Sequence, residues 1–432
     1  MLGFAPANGL QLSRRALLQA AAGALLSLPA RSQTRPLLSA AAFIDSVGVN
    51  THLSSEPYAA RFERVSELLE ICGIRHLRDE LRPDNKLNQW RELFRRYGVR
   101  SHLLVSPATN TVTQMLDYLA ALGIEAVSAI EGQNEGDADW FMAHRAARGN
   151  WSATVVAYQR EIFRALRARY KAAALPVLSP TVLDFKPGDM RLLDGAADFC
   201  DFVAIHPYAQ HAEEPETDAP YAAISWYLEN MRDGFKPGAP AMATETGYNT
   251  MVQPGGSGVS EEAAAIYIPR LLLNNFAAGI RRTFLYQLLD AGRDPAEWEH
   301  HWGLVRDDDT PKPAFHAIAG LLGALRDEPG SAAEAPVRVA LRNAPQDARL
   351  LEFQKTDGST VAAIWRSVRC WDPERAAAIP AEAQTIIAAP DRRVSHAAIM
   401  TLNGKPEWTE LAAASDGIAV PVGATVVLLR AD

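Results

Sequence analysis

The stretch Val99–Gln133 reads VRSHLLVSPATNTVTQMLDYLAALGIEAVSAIEGQ. Val99–Ser106 is a short apolar run of the kind that forms a buried strand. Val112–Leu122 then repeats apolar residues at helical spacing, and Gly123 follows it. Glycine enters the left-handed cap of a helix without strain, so it marks the stop. Ala126–Gln133 is again strand-like. Strand, helix, stop and strand in this order predict two parallel strands joined by a crossover helix.

The same rhythm extends both ways. Upstream, Phe43–Asn50 and Ile74–Leu81 read as strands, and Tyr58–Cys72 and Trp90–Tyr97 as helices closed by Gly73 and Gly98. Downstream, Pro176–Leu183, Phe202–His206, Ala241–Thr246 and Arg282–Leu289 read as strands. Ser152–Tyr170, Tyr221–Met231, Glu261–Ala278 and Ala314–Leu325 read as helices. Eight strand-then-helix units in about 280 residues predict an α/β protein with a closed (β/α)8 TIM barrel. An open doubly wound sheet would carry a G-x-G-x-x-G turn after its first strand. None is present.

The barrel is expected over residues 41–327. Glu328–Pro336, rich in Pro, Ser and Ala, reads as a linker. Val337–Leu341, Leu350–Gln354, Thr360–Arg366, Gln384–Ala388, Ser395–Thr401 and Thr425–Leu429 then predict a β-sandwich over residues 328–432. Residues 1–40 read as a leader. Arg14-Arg15, flanked by Ser13 and Leu17-Leu18, precedes a short apolar run ending at Leu28. That is the pattern of a bacterial twin-arginine export signal, with cleavage expected after Ala30 or Ala41. It implies a periplasmic or secreted protein with no membrane span in the mature chain.

Composition limits the function classes. Of 432 residues, 48% are hydrophobic and 22% charged, the balance of a globular protein. A net charge of −8 excludes a phosphate-tracking nucleic-acid surface. The three cysteines, Cys72, Cys200 and Cys370, are too scattered for a disulfide framework or a metal knuckle. His300-His301 lacks a third metal ligand at fixed spacing, and Asp307–Asp309 lacks calcium-loop spacing. No metal or cofactor is expected. Trp365, Trp371 and Trp408 are expected in core or interdomain packing.

Barrel enzymes carry their chemistry at the carboxyl ends of strands. Two such ends here hold glutamates: Glu131-Gly-Gln-Asn134-Glu135-Gly136 after strand four and Thr244-Glu245-Thr246-Gly247-Tyr248 in strand seven. Two carboxyl groups facing one substrate are what glycosidic hydrolysis needs. One protonates the leaving oxygen, and the other attacks the anomeric carbon or activates water. The acid must hold its proton while its partner stays ionised.

At these residues the chain resembles the retaining glycoside hydrolases of the clan that shares a (β/α)8 barrel with Asn-Glu after strand four. Family 39 is the nearest resemblance and family 5 the second. The resemblance implies Glu135 as acid/base, Asn134 on the sugar 2-hydroxyl, and Glu245 as nucleophile held ionised by Arg78. It also implies His206 and Tyr208, from His206-Pro-Tyr208, in the sugar subsite. The clan's proline after Asn-Glu is replaced by Gly136. Tyr208, Tyr248, Tyr286 and Trp302, near strand ends, are candidate sugar-facing walls. The expected partner is a carbohydrate. The expected activity is that of a retaining glycosidase, with transglycosylation or a non-catalytic sugar-binding barrel as alternatives.

Overall fold

The computed structural model describes residues 36–431 apart from 83–86, 145–149, 171–174, 184–186, 328–335, 404–405 and 413–416. The Arg14-Arg15 signal and nearly all of the expected linker lie outside the described residues.

Eight parallel strands form the barrel. In chain order they are Val47–Asn50, His76–Glu80, Arg100–Leu104, Val127–Glu131, Val177–Leu178, Val203–Ile205, Ala241–Thr246 and Thr283–Leu285. Strands one to five pair in chain order, as do strands six to eight, and the last pairs with the first. A parallel bridge between Leu178 and Phe202 closes the remaining seam. The strands are almost wholly buried because helices cover them outside and side chains fill them inside.

Several expected elements shift for identifiable reasons. Phe43–Asn50 is not one strand. Ser39 caps a helix, Ala40–Asp45, by accepting the Ala42 amide at 3.1 Å, and the strand begins at Val47. Pro180 has no amide to donate, and the strand expected over Pro176–Leu183 is only Val177–Leu178. The helix expected over Tyr221–Met231 begins at Ile224 and widens into a π turn at Leu228–Arg232.

The C-terminal region is a sandwich. A six-stranded sheet runs Leu38–Ser39, Ala348–Gln354, Thr360–Arg366, Val427–Ala431, Ala397–Thr401 and Thr409–Leu411. It packs on a three-stranded sheet of Val339–Arg342, Gln384–Pro390 and Ile418–Val422. The six-stranded sheet is buried on both faces, and the strand period of two sorts its side chains. Ala362 and Ile364 face the smaller sheet, while Val361, Ala363 and Trp365 join the barrel's apolar core. Phe353 meets Phe43 edge-on at 5.1 Å between ring centres. Ile418–Val422 and Thr409–Leu411 went unread in sequence because each is short, and Pro421 interrupts the first.

Leu38–Ser39 pairs in parallel with Phe353–Gln354. These two residues therefore belong to the folded sandwich, although the expected leader ran through residue 40. Among the described residues, no helix is long and apolar enough to cross a membrane.

Candidate active site

Arg78 lies in the second barrel strand, and its side chain is buried among groups from the first, second, fourth and seventh strands. Its guanidinium uses every edge. Nε and Nη2 fork onto Glu131 at 2.8 Å each. Nη2 also reaches Asn134 Oδ1 at 2.8 Å, and Nη1 reaches Asn50 Oδ1 at 2.9 Å and Glu245 Oε1 at 2.7 Å. A planar fork with five donors suits this task, and a lysine could not span it. Glu131 takes a further bond from His102 Nε2 at 2.8 Å. Burial alone would push Glu131 up, but Arg78 and His102 outweigh it and hold the carboxyl well below the usual range.

Glu245 ends the seventh strand, opposite Glu135. Besides Arg78, it accepts the Tyr208 hydroxyl at 3.1 Å. Burial would raise its pKa, but the charges of His206 and Arg78 outweigh this and hold it below the ordinary carboxylate value. Tyr208 keeps its proton, because burial and then Glu245 push its pKa well up.

Glu135 follows the fourth strand in the left-handed region, with φ of 46°. Its amide donates to Thr181 Oγ1 at 2.9 Å, which fixes this uncommon backbone. His206 Nδ1 donates to Glu135 Oε1 at 3.1 Å and stands 3.9 Å from Glu245 Oε2. Burial lowers the His206 pKa, but Glu245 and Glu135 more than reverse it, and the net shift is upward. One oxygen of each glutamate and one His206 nitrogen lie within 4.8 Å of one another. This trio is also a conceivable metal-ligand set, but its members are already engaged with Arg78, Tyr208 and each other.

Of the residues expected to act on or wall the sugar, Tyr248 alone is turned away from this centre. That side chain is buried, donates its hydroxyl to Glu213 O at 2.8 Å, and packs on Tyr267. Asn134 directs its carbonyl oxygen to Arg78 and also accepts the Thr181 hydroxyl at 3.3 Å. Trp302 forms a wall with Tyr208 and Tyr286, at ring-centre distances of 5.2 and 6.0 Å. Its indole nitrogen is buried with no hydrogen-bond partner among the described residues. A cis peptide joins Tyr286 to Gln287, whose side chain accepts the Tyr58 hydroxyl at 2.9 Å.

Two site residues escaped the sequence reading. His52 lies just past the first strand, with its ring edge-on to Tyr286 at 5.9 Å. Burial lowers its pKa to about 4 despite the nearby Glu245, so it stays neutral near pH 7. Asn50, at the strand's end, holds Arg78. Both sit where strand one ends, and that position was the available signal.

Gly136 explains the departure from the clan pattern. Its amide donates to Thr181 O at 3.1 Å, a bond proline could not make. A Cβ added there would stand 3.1 Å from Trp151 and Val155.

No family model and no curated protein matches the sequence. Solved structures do match. A family 39 glycoside hydrolase from the gut symbiont Bacteroides cellulosilyticus is 17% identical, with a TM-score of 0.62 over 92% of this chain and 83% of that one. The chain has the fold of the family 39 glycoside hydrolases. The family 39 enzyme of Xanthomonas axonopodis pv. citri gives a TM-score of 0.58 at 14% identity, over 92% of this chain and 96% of that one. A glucosidase from Croceicoccus marinus gives 0.56 at 11% identity, over 85% and 91%. These matches take in barrel and sandwich together, so the two-part architecture belongs to the family 39 fold.

Proposed function

We propose that the protein is a retaining glycosidase that hydrolyses O-glycosidic bonds of a polysaccharide or oligosaccharide by double displacement. The observation that carries this reading is the pair Glu135 and Glu245, with an oxygen of each within 4.8 Å of the other. Retaining enzymes hold their carboxyl groups about 5–5.5 Å apart, and inverting ones about 6.5–9.5 Å, to admit a water.

In this reading Glu245 attacks the anomeric carbon. Arg78 and the Tyr208 hydroxyl keep its carboxylate ionised and aimed. Glu135 protonates the departing oxygen and then takes a proton from the incoming water. His206, between the two carboxyl groups, orients Glu135 by its Nδ1 bond. The intact network around Arg78 counts against a decayed, non-catalytic barrel. The Arg14-Arg15 leader supports action outside the cytoplasm.

The test is a screen of polysaccharides and aryl glycosides, with product anomers followed by NMR. The first product is expected to keep the substrate's anomeric configuration. Glu245→Ala is expected to abolish turnover, and Glu135→Gln to lower kcat by about 10²–10⁴ on substrates with poor leaving groups. Inverted product, or a Glu245→Ala variant with full activity, contradicts the reading.

A further inference from the structure

Tyr221 is a half-exposed aromatic ring held in a costly backbone conformation. It is 49% exposed, with φ of 63°. A bulky residue in the left-handed region is an outlier that persists only where the surroundings impose it. Here Tyr227 imposes it. The Tyr227 hydroxyl lies 3.1 Å from Tyr221 O and 3.2 Å from Tyr208 O. The Tyr221 backbone is therefore pinned beside that of the residue whose own hydroxyl reaches Glu245. The Tyr221 ring lies over Trp226, with centres 4.4 Å apart and planes at 42°. Trp226 in turn stands edge-on to Tyr227 at 5.2 Å.

We propose that Tyr221 and Trp226 form a stacking platform for a sugar unit beyond the one that Glu245 attacks. The ligand class is an oligosaccharide or polysaccharide chain that presents the apolar face of a pyranose ring. Aromatic faces flanked by solvent suit such a ligand, which pairs an apolar face with a hydroxylated rim. The Tyr221 backbone is tied through the Tyr227 hydroxyl to Tyr208, whose own hydroxyl reaches Glu245, and the protein would therefore act on chains longer than a disaccharide. This inference rests on the glycosidase reading and extends it to substrate length.

The test uses Tyr221→Gly, which removes the ring while suiting the left-handed backbone, and Trp226→Phe as the second variant. Probes are aryl monoglycosides and hexasaccharides of β-linked glucose, xylose and mannose. Tyr221→Gly is expected to raise KM on the cleaved hexasaccharide at least tenfold. It is expected to leave the aryl monoglycoside within twofold and the melting temperature equal or higher. Trp226→Phe is expected to lie between parent and Tyr221→Gly. Equal losses on both substrates, or no change on either, overturn the platform while the glycosidase reading stands. If the parent cleaves no probe, the glycosidase reading fails on its own. Hexasaccharide quenching of tryptophan fluorescence in the parent, absent in Tyr221→Gly, then still supports the platform, and its absence in both overturns it.

Discussion

At the scale of single residues, Arg78 decides how the site ionises. Its fork neutralises Glu131 and Glu245 together, and removing it would strand two buried carboxylates. Arg78→Lys keeps the charge and loses the fork. Destabilisation by about 1–3 kcal/mol is expected, from lost charge-assisted hydrogen bonds, and denaturant unfolding measures it. The pH dependence should move too. The Glu245 carboxyl is held below its ordinary value, so activity that needs it ionised is lost only in acid. With a weaker cation its pKa rises, and the acid limb of kcat/KM is expected to shift toward neutral pH. An unmoved limb would place control of that limb elsewhere. Asp79, next along the strand, behaves oppositely. Burial raises its pKa to about 7 although Leu53 N, Thr51 Oγ1 and Glu80 N donate to it. A carboxyl raised in the folded state binds protons there that the unfolded chain does not. Its stabilising share is complete at acid pH and declines as pH rises from about 4 to about 7. The melting temperature of Asp79→Asn relative to the parent is therefore expected to improve from pH 5 to pH 8. A constant difference would show that Asp79 titrates as in the unfolded chain. The two glutamates were legible from their strand-end positions and Arg78 from the resemblance, and the fold brings the three together. His52 was not, since its position past strand one was its one signal in sequence, and only the fold turns it toward Tyr286.

At the scale of elements, strands and helices of ten or more residues were legible from their periodicity, and the loops after the strands were not. The bend at Glu135 shows why. It depends on Thr181, 46 positions away, which supplies both a hydroxyl for the Glu135 amide and a carbonyl for the Gly136 amide. Gly136→Pro would restore the clan's residue while removing that second bond and crowding Trp151. Destabilisation of about 1–3 kcal/mol is expected, with a fall in kcat larger than any change in KM. A variant as stable and active as the parent would show the bond to be dispensable. The loop after strand six is likewise set from a distance. The Glu216 carboxylate accepts Arg270 Nε at 3.1 Å and Trp365 Nε1 at 2.7 Å, and Asn274 Nδ2 reaches Pro215 O at 2.7 Å. Those partners come from a barrel helix and from the sandwich, so no local pattern reveals them.

At the scale of the whole molecule, the sandwich is part of the barrel's support. Besides Trp365, the Arg369 side chain pairs with Glu213 and Glu214, Trp371 Nε1 donates to Gly258 O at 3.1 Å, and Arg270 Nη1 donates to Val368 O at 2.9 Å. Arg270 is fully buried, and Arg270→Met leaves Glu216 an uncompensated charge at the junction. Loss of about 3–5 kcal/mol is expected. Calorimetry of the parent should give one transition, because barrel and sandwich share one apolar core. Two well-separated transitions would mean that the interface contributes little. The paired residues Leu38–Ser39 and Phe353–Gln354 bear on this junction from the other end of the chain. A sheet's outermost strand offers free amides and carbonyls to any other chain, and natural proteins cover such edges. Here the cover is only two residues long and lies just ahead of the Ala40–Asp45 helix. A chain trimmed to begin at Ala42 would lose it and leave Ala348–Gln354 as the outermost strand, whereas one beginning at Arg31 would keep it. The position of the first residue thereby becomes a determinant of self-association.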